Sequence, residues 1–578
     1  MKFFHVYNED CIKGLEKNGL INSESGFKIQ HCFAIPEERK FNKYASKNSK
    51  LYNFIKSGNY PFYVDRIAGG ITYHKYDFDK SLIKEYCTLL GNDFLGFQLH
   101  ESASNRRNSD WQTILRVMNG DCGPYDEKTL YDRTLRKFAK MPDGTVLSAF
   151  SQDTPQTYSK MRYALTPDEY FAEIKDLCLR RMAETEEHIL PCDSYYLMTK
   201  IQDELGMNSF MPEVGCQIAL MRIEVSLARG IAKASNKTWG VYYECWREIR
   251  ENDKYIYTMP CFNQDPSNEW YLTQQLHPDD FTSYGKNGGS SRLLQNRIYY
   301  YAFMAGADYF SEEWGLNCSY SNMNTFDLSD YGIVKKNFIN DSLKFKDMKA
   351  VIPFAIVLPK DYSCVEIPDM FTPWKIGNHR NVYMRCILDN SRKKYYGHIE
   401  DVLKLIYSQT ESVGNEGHVI TNSRFPDVFD IIYEDASEEV LARYEYLIDA
   451  TAQSSFFKSK RERFRILEST DLFALEKRLN ELIKDVMPCY VDGLCWLVST
   501  DKNGNRYISI FNNEGNERSL EKGDIIHPEA DKAVKITFKE ACNIEVIKEV
   551  GGSINPEKES SNAYTAVIPA AGFAIIKF

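Results

Sequence analysis

The stretch SFMPEVG (209–215), QIALMRIEVSLARGIAKASNK (217–237) and TWGVYYECW (238–246) runs without interruption except for Cys216. The outer pieces are short, nearly continuous apolar runs, and the middle piece carries Ile218, Arg222, Val225 and Arg229 at helical spacing. A strand, a helix and a second strand of this kind predict a βαβ unit, whose two strands lie parallel and are covered on both faces.

The same alternation extends outward in both directions. Upstream lie the apolar runs GFKIQHCFAI (26–35), YPFYVDRIAGG (60–70), DFLGFQLHE (93–101), TVLSAFS (145–151) and HILPCDSYY (188–196), and downstream lies ADYFSEEWG (307–315). Amphipathic segments such as KSLIKEYCTLLGN (80–92) and TPDEYFAEIKDLCLRRMAETEE (166–187) separate them. Eight runs between residues 26 and 315 suit a closed (β/α)₈ TIM barrel, whose usual size is about 250 residues. An open doubly wound sheet is disfavoured. The pairs Gly69-Gly70 and Gly288-Gly289 stand alone, and no GxGxxG or P-loop follows an early strand. The run KFFHVYN (2–8) also reads as a strand and competes with GFKIQHCFAI for first place in the barrel.

Past the barrel the pattern changes twice. KAVIPFAIVLP (349–359), GHIEDVLKLIYSQ (397–409), FPDVFDIIYED (425–435) and SEEVLARYEYLIDAT (437–451) predict a Rossmann-like α/β layer without a nucleotide fingerprint. CWLVST (495–500), the turn DKNGN (501–505), RYISIFNN (506–513) and AYTAVIPAAGFAIIKF (563–578) predict a β-sandwich. The expected division is an α/β barrel over 1–345, a Rossmann-like middle domain over 346–487 and a sandwich over 488–578.

The charge of -10 is spread along the chain without a basic stripe, which argues against nucleic acid and anionic membranes as partners. No run approaches the roughly 18 apolar residues of a membrane span. The N-terminal MKFFHVYNED turns charged before a signal-length apolar run develops, and the 15 cysteines show no CxxC pair, so a cytoplasmic protein with reduced thiols is expected. With 10 His and no HxH or HExxH pattern, neither a metal nor another cofactor is expected. A GxSxG elbow is lacking too, which argues against Ser/His/Asp hydrolysis of that kind.

What remains is the placement of acids. Residues at the C-terminal ends of barrel strands line the active site. Asp65, Glu101, Asp193, Glu213, Glu244 and the Glu312-Glu313 pair all fall at predicted strand ends. Glycoside hydrolysis uses such a set, one carboxyl as acid and another as nucleophile or base. Arg66 and His100 stand beside two of the acids, and Tyr243, Trp246 and Trp314 are candidate walls for a sugar ring.

With these strand-end acids and this domain order, the chain resembles clan A glycoside hydrolases, and in architecture the family 42 β-galactosidases. FPDVFDIIYED and SEEVLARYEYLIDAT look like the corresponding middle-domain segments of those enzymes without a nucleophilic cysteine, which implies a structural or homo-oligomer-forming role for that domain. The resemblance implies an acid/base glutamate at the end of the fourth strand and a nucleophile at the end of the seventh. It therefore points to a retaining, exo-acting glycosidase on a short carbohydrate substrate, with Glu101 as acid. Glu213 is the nucleophile if KFFHVYN is the first strand, and Glu244 if GFKIQHCFAI is. His100-Glu101 stands where the family has Asn-Glu. The alternative is a non-catalytic carbohydrate-binding or assembly protein on the same scaffold.

Overall fold

The computed structural model describes the chain except at residues 30–36, 69–75, 101, 103–137, 141–145, 149–159, 162–166, 194–196, 216–220, 246, 252–253, 259–289, 314–318, 323, 346, 361, 363–389, 409–418, 452–458 and 520–521. It divides into two compact units. One comprises Met1–Gly26, Glu213–Lys360 and Tyr395–Phe578; the other comprises Phe27–Pro212 and Asp361–Lys394.

In chain order the parallel strands are β1 (Lys2–Val6), β2 (Ser25–Ile29), β3 (Phe62–Ala68), β4 (Phe94–His100), β5 (Ile189–Cys192), β6 (Glu213–Gly215), β7 (Thr238–Glu244) and β8 (Tyr309–Glu313). Within the first unit β6, β7, β8 and β1 form one parallel arc, with Gly215 opposite Glu244, Glu244 opposite Glu313 and Phe3 opposite Phe310. Within the second unit β2, β3, β4 and β5 form another, with Phe27 opposite Phe62 and His100 opposite Cys192. Eight parallel strands with helical crossovers have the connectivity of a nearly closed β/α barrel.

The first strand is β1, so the chain enters the barrel at Lys2. The expected fourth strand, TVLSAFS, is displaced from the barrel. Its core Val146–Ser148 pairs antiparallel with Phe138–Lys140 and Lys160–Met161 in a separate three-stranded sheet. These two changes cancel in number but not in position. Glu213 moves to the sixth strand and Glu244 takes the seventh.

In the first unit, helices α2 (Met221–Ser235), α3 (Arg292–Met304) and α4 (Asp330–Ser342) cover the arc. Ser291 and Ser329 cap α3 and α4 by accepting from Leu294 and Gly332 backbone N–H groups, which satisfies donors the helix itself leaves open. The tyrosine triplet of α3 spreads around that helix and ties it to three neighbours. Tyr299 donates to Glu312 of β8, Tyr300 to Asp341 of α4 at 2.6 Å, and Tyr301 to Asp427 at 2.6 Å.

KAVIPFAIVLP breaks into β9 (Lys349–Ala350) and β10 (Phe354–Leu358). Pro353, which lacks an N–H, sits in the gap. β10 is central in a parallel sheet with β11 (Phe429–Tyr433) on one side and β12 (Tyr446–Asp449) and β13 (Ile466–Glu468) on the other. β9 instead joins the C-terminal region, pairing antiparallel with Cys495–Thr500. That region contains a five-stranded and a four-stranded antiparallel sheet. Trp496 is fully buried there, and its indole N–H donates to the Val491 carbonyl at 2.7 Å.

Candidate functional site

Strand parity decides which acids of the first unit share a face. Successive side chains on a strand point to opposite sides. Glu312 faces the helices. It accepts from the hydroxyls of Tyr299 and Tyr331 and pairs with Lys335 of α4. Burial, then the adjacent Glu312, pushes the Tyr299 and Tyr331 hydroxyls well above their usual pKa, so both remain donors. Tyr243, opposite Glu312 in register, lies on the same side. Its hydroxyl bonds to Ser290, and its ring packs against Tyr299, Phe310 and Tyr331. Tyr243 is therefore part of the layer between strands and helices, and Glu312 is its charged anchor.

One residue further, Glu313 and its register partner Glu244 point to the face turned away from α3 and α4. Glu213, two residues before Gly215, shares that face with them. All three are buried. A carboxylate oxygen of Glu213 lies within 4.8 Å of one of Glu313. Gly215 makes room for Glu244: a Cβ there would lie 2.6 Å from the Glu244 Cβ and 2.8 Å from its Oε2. The thiol of Cys245, directly after β7, donates to the Glu313 carbonyl at 2.7 Å and ties the ends of β7 and β8 together.

In the second unit, β3 carries a bulge. Asp65 and Arg66 together oppose Gln98 of β4, and Arg66 has φ of 55°, the left-handed region that non-glycine residues seldom adopt. The Gln98 side-chain oxygen accepts from the Arg66 backbone N–H at 3.1 Å and holds this turn. The bulge sends the two side chains to different partners. Asp65 reaches Lys28 of β2 at 3.1 Å, with both side chains almost fully buried. Arg66 reaches His100 Nε2 at 2.9 Å. A guanidinium only donates, so Nε2 accepts and the His100 proton resides on Nδ1. After β5, Asp193 accepts from Ser102 at 2.8 Å.

Burial alone would raise the Asp65 pKa, but Lys28 and then Arg66 outweigh it and hold the carboxyl below its usual value. A depressed folded pKa stabilises the protein above the unfolded value, and that contribution is lost as pH falls through the folded one. Lys28→Met removes the chief compensating charge, so the folded pKa of Asp65 rises. The variant is expected to have a lower Tm than the wild type at neutral pH and to lose less of it on acidification. Thermal melts across a pH series check this, and parallel curves for the two proteins would refute it.

Of the expected site residues, Glu213, Glu244 and Glu313 are gathered on one face of the first unit. In the second unit His100 ends β4 and Asp193 follows β5, whereas Asp65 and Arg66, expected at a strand end, lie inside β3 at its bulge. Glu101, Trp246 and Trp314 lie outside the described residues; Glu101 follows directly on β4 in the chain. Lys28 was not anticipated, because a lysine inside an apolar run carries no sequence signal that it will bury against an aspartate 37 residues on.

No family model matches the chain, and no curated protein sequence matches it. Solved structures do. The catalytic module of a family 98 glycoside hydrolase from Streptococcus pneumoniae is 10% identical with a TM-score of 0.41, covering 100% of this chain and 98% of that one. A β-galactosidase from Halorubrum lacusprofundi is 8% identical with a TM-score of 0.40, covering 100% and 99%. An α-L-fucosidase from Paenibacillus thiaminolyticus is 7% identical with a TM-score of 0.38, covering 95% and 99%. The family 98 module has also been solved with the LewisY pentasaccharide. Among the described residues, no helix is long and apolar enough to cross a membrane.

Proposed function

We propose that this protein is a glycoside hydrolase in which Glu244 is the nucleophile and Glu101 the acid/base. The observation that carries this is the position of Glu244, a buried carboxylate ending the seventh parallel strand, with Gly215 leaving space for it. The clan A resemblance assigns the nucleophile to that strand end and the acid to the end of the fourth, where Glu101 follows β4 in sequence. Glu213 then becomes a neighbouring acid paired with Glu313, not the nucleophile.

In this mechanism Glu101 protonates the leaving oxygen while Glu244 attacks the anomeric carbon, forming a glycosyl-enzyme ester. Water, deprotonated by Glu101, then releases the sugar with retained configuration. The substrate class is a short oligosaccharide or simple glycoside cut from its end, in the cytoplasm. The narrower likeness to family 42 belongs to this proposal as well.

A panel of aryl glycosides and short oligosaccharides tests it, with the product anomer followed by NMR. Hydrolysis with retention is the expected result. Inversion would remove the nucleophilic role from Glu244. Sugar binding by calorimetry without any hydrolysis would favour the carbohydrate-binding alternative.

A further inference from the structure

In the second unit, apart from the strand-end acids, a thiol, an imidazole and a carbonyl are aligned. Helix α1 (Lys80–Leu90) carries Cys87 in its last turn. Cys87 Sγ is 3.0 Å from His188 Nε2, and His188 Nδ1 is 2.6 Å from the Glu186 carbonyl oxygen. A carbonyl only accepts, so the imidazole proton sits on Nδ1 and the Nε2 lone pair faces the sulfur. Nucleophile, base and a third group orienting the base are the parts of an activated-nucleophile site.

The backbone around His188 is built to hold this alignment. Glu186 and Glu187 are consecutive non-glycine residues with φ of 52° and 68°. Left-handed residues of this kind cost on the order of 1 kcal/mol each, and they persist where surrounding contacts fix them. Here Glu187 N–H donates to Met182 O at 2.7 Å and His188 N–H to Thr185 O at 3.1 Å. The two turned residues present the Glu186 carbonyl to the ring. The His188 carbonyl accepts from Phe97 at 2.9 Å, beside Gly96, where a Cβ would sit 2.2 Å from that oxygen. The ring itself stacks on Phe94 with centroids 5.8 Å apart.

We propose that Cys87 is a base-assisted nucleophilic thiol, and that it is a site of mixed-disulfide formation with small disulfides. The class of reagent follows from the surroundings. Cys87 and His188 are each half-buried, which admits a small molecule more readily than a protein.

Burial raises the Cys87 pKa, and the negative end of α1 opposes a thiolate as well, so the resting sulfur is protonated and donates to His188. Reaction therefore needs the base. As Cys87 Sγ attacks one sulfur of the disulfide, its proton passes to His188 Nε2. The new S–S bond forms as the old one breaks, and the departing thiolate takes the proton back from His188 as a free thiol.

Cys542 is the internal control. It is half-buried too, its thiol is raised by burial, and among the described residues no histidine is hydrogen-bonded to it. The full chain is incubated with oxidised glutathione, quenched with acid, digested and analysed by mass spectrometry. Cys87 is expected to acquire the adduct roughly tenfold or more faster than Cys542, and His188→Gln to remove that advantage. Equal rates at the two cysteines in the wild type would overturn the proposal even if His188→Gln fails to fold. A folded His188→Gln variant that keeps the wild-type rate would overturn it too. Glycoside turnover is not read in this experiment, so its result is independent of the proposed hydrolysis.

Discussion

Glu244→Gln is expected to lower glycoside turnover by roughly 10³-fold or more while leaving the fold intact. Gln keeps the size of the side chain and its place above Gly215, but it cannot form the ester with the anomeric carbon. The matched control is Glu312→Gln. Glu312 lies one residue along β8 from the register partner of Glu244, yet it faces the helices and holds Lys335, Tyr299 and Tyr331. Neutralising it leaves the Lys335 ammonium buried without its counter-charge, so its effect should appear first in the melting temperature. Steady-state rates and melts on both variants separate the two roles. Full turnover by Glu244→Gln on the substrate of the wild type would remove Glu244 from the chemistry.

The contrast between Glu312 and Glu313 also shows what the sequence can express. A period of two puts adjacent residues on opposite faces wherever a strand runs, so ADYFSEEWG says that one glutamate faces the helices and the other does not. Which is which depends on Tyr299, Tyr331 and Lys335, contributed by other elements. The same gap explains Tyr243. Its neighbour Glu244 reads correctly as a strand-end residue, but parity then turns Tyr243 into the helix layer. The strand at Val146–Ser148 illustrates a different limit. Its apolar pattern does describe a strand, but a pattern of that length does not specify which sheet the strand joins. The bulge at Asp65-Arg66 has no glycine to announce it. Contacts across long sequence separations, such as Cys87 with His188, are set by the fold as a whole.

Arg222 and Arg229 were legible only as polar residues on a helix whose other positions are apolar, and their partners account for them. Both are buried in the first unit. Arg222 donates to Thr421 O, Ser423 and Phe425 O, and Arg229 to Phe429 O at 3.0 Å and Asp430 at 2.6 Å. Asp430 also accepts from Tyr444 at 2.9 Å, and Asp427 lies 3.7 Å from Arg229. Gly230 permits this approach, since a Cβ there would lie 2.3 Å from the Ile431 carbonyl oxygen. Helix α2 is thus seated on β11 through a desolvated charge pair. Burial works against the Arg229 charge, but Asp430 and Asp427 more than offset it and raise its pKa. Asp430→Ala should therefore cost about 3–5 kcal/mol, because it leaves the buried guanidinium only the more distant Asp427 as counter-charge as well as removing the bond. Asp430→Asn, which keeps an acceptor for Tyr444, should cost less. Arg229→Met combined with Asp430→Leu should recover part of the loss, because it removes both members of the pair, and Asp427, which loses Arg229, still accepts from Tyr301 and keeps the charge of Arg222 nearby. The loss should be local before it is global. Hydrogen exchange should accelerate first in α2 and β11, and the melting temperature should fall in the order Asp430→Asn, then Asp430→Ala. An Asp430→Ala protein that melts and exchanges like the wild type would mean that packing around Gly230, not the ion pair, seats the helix.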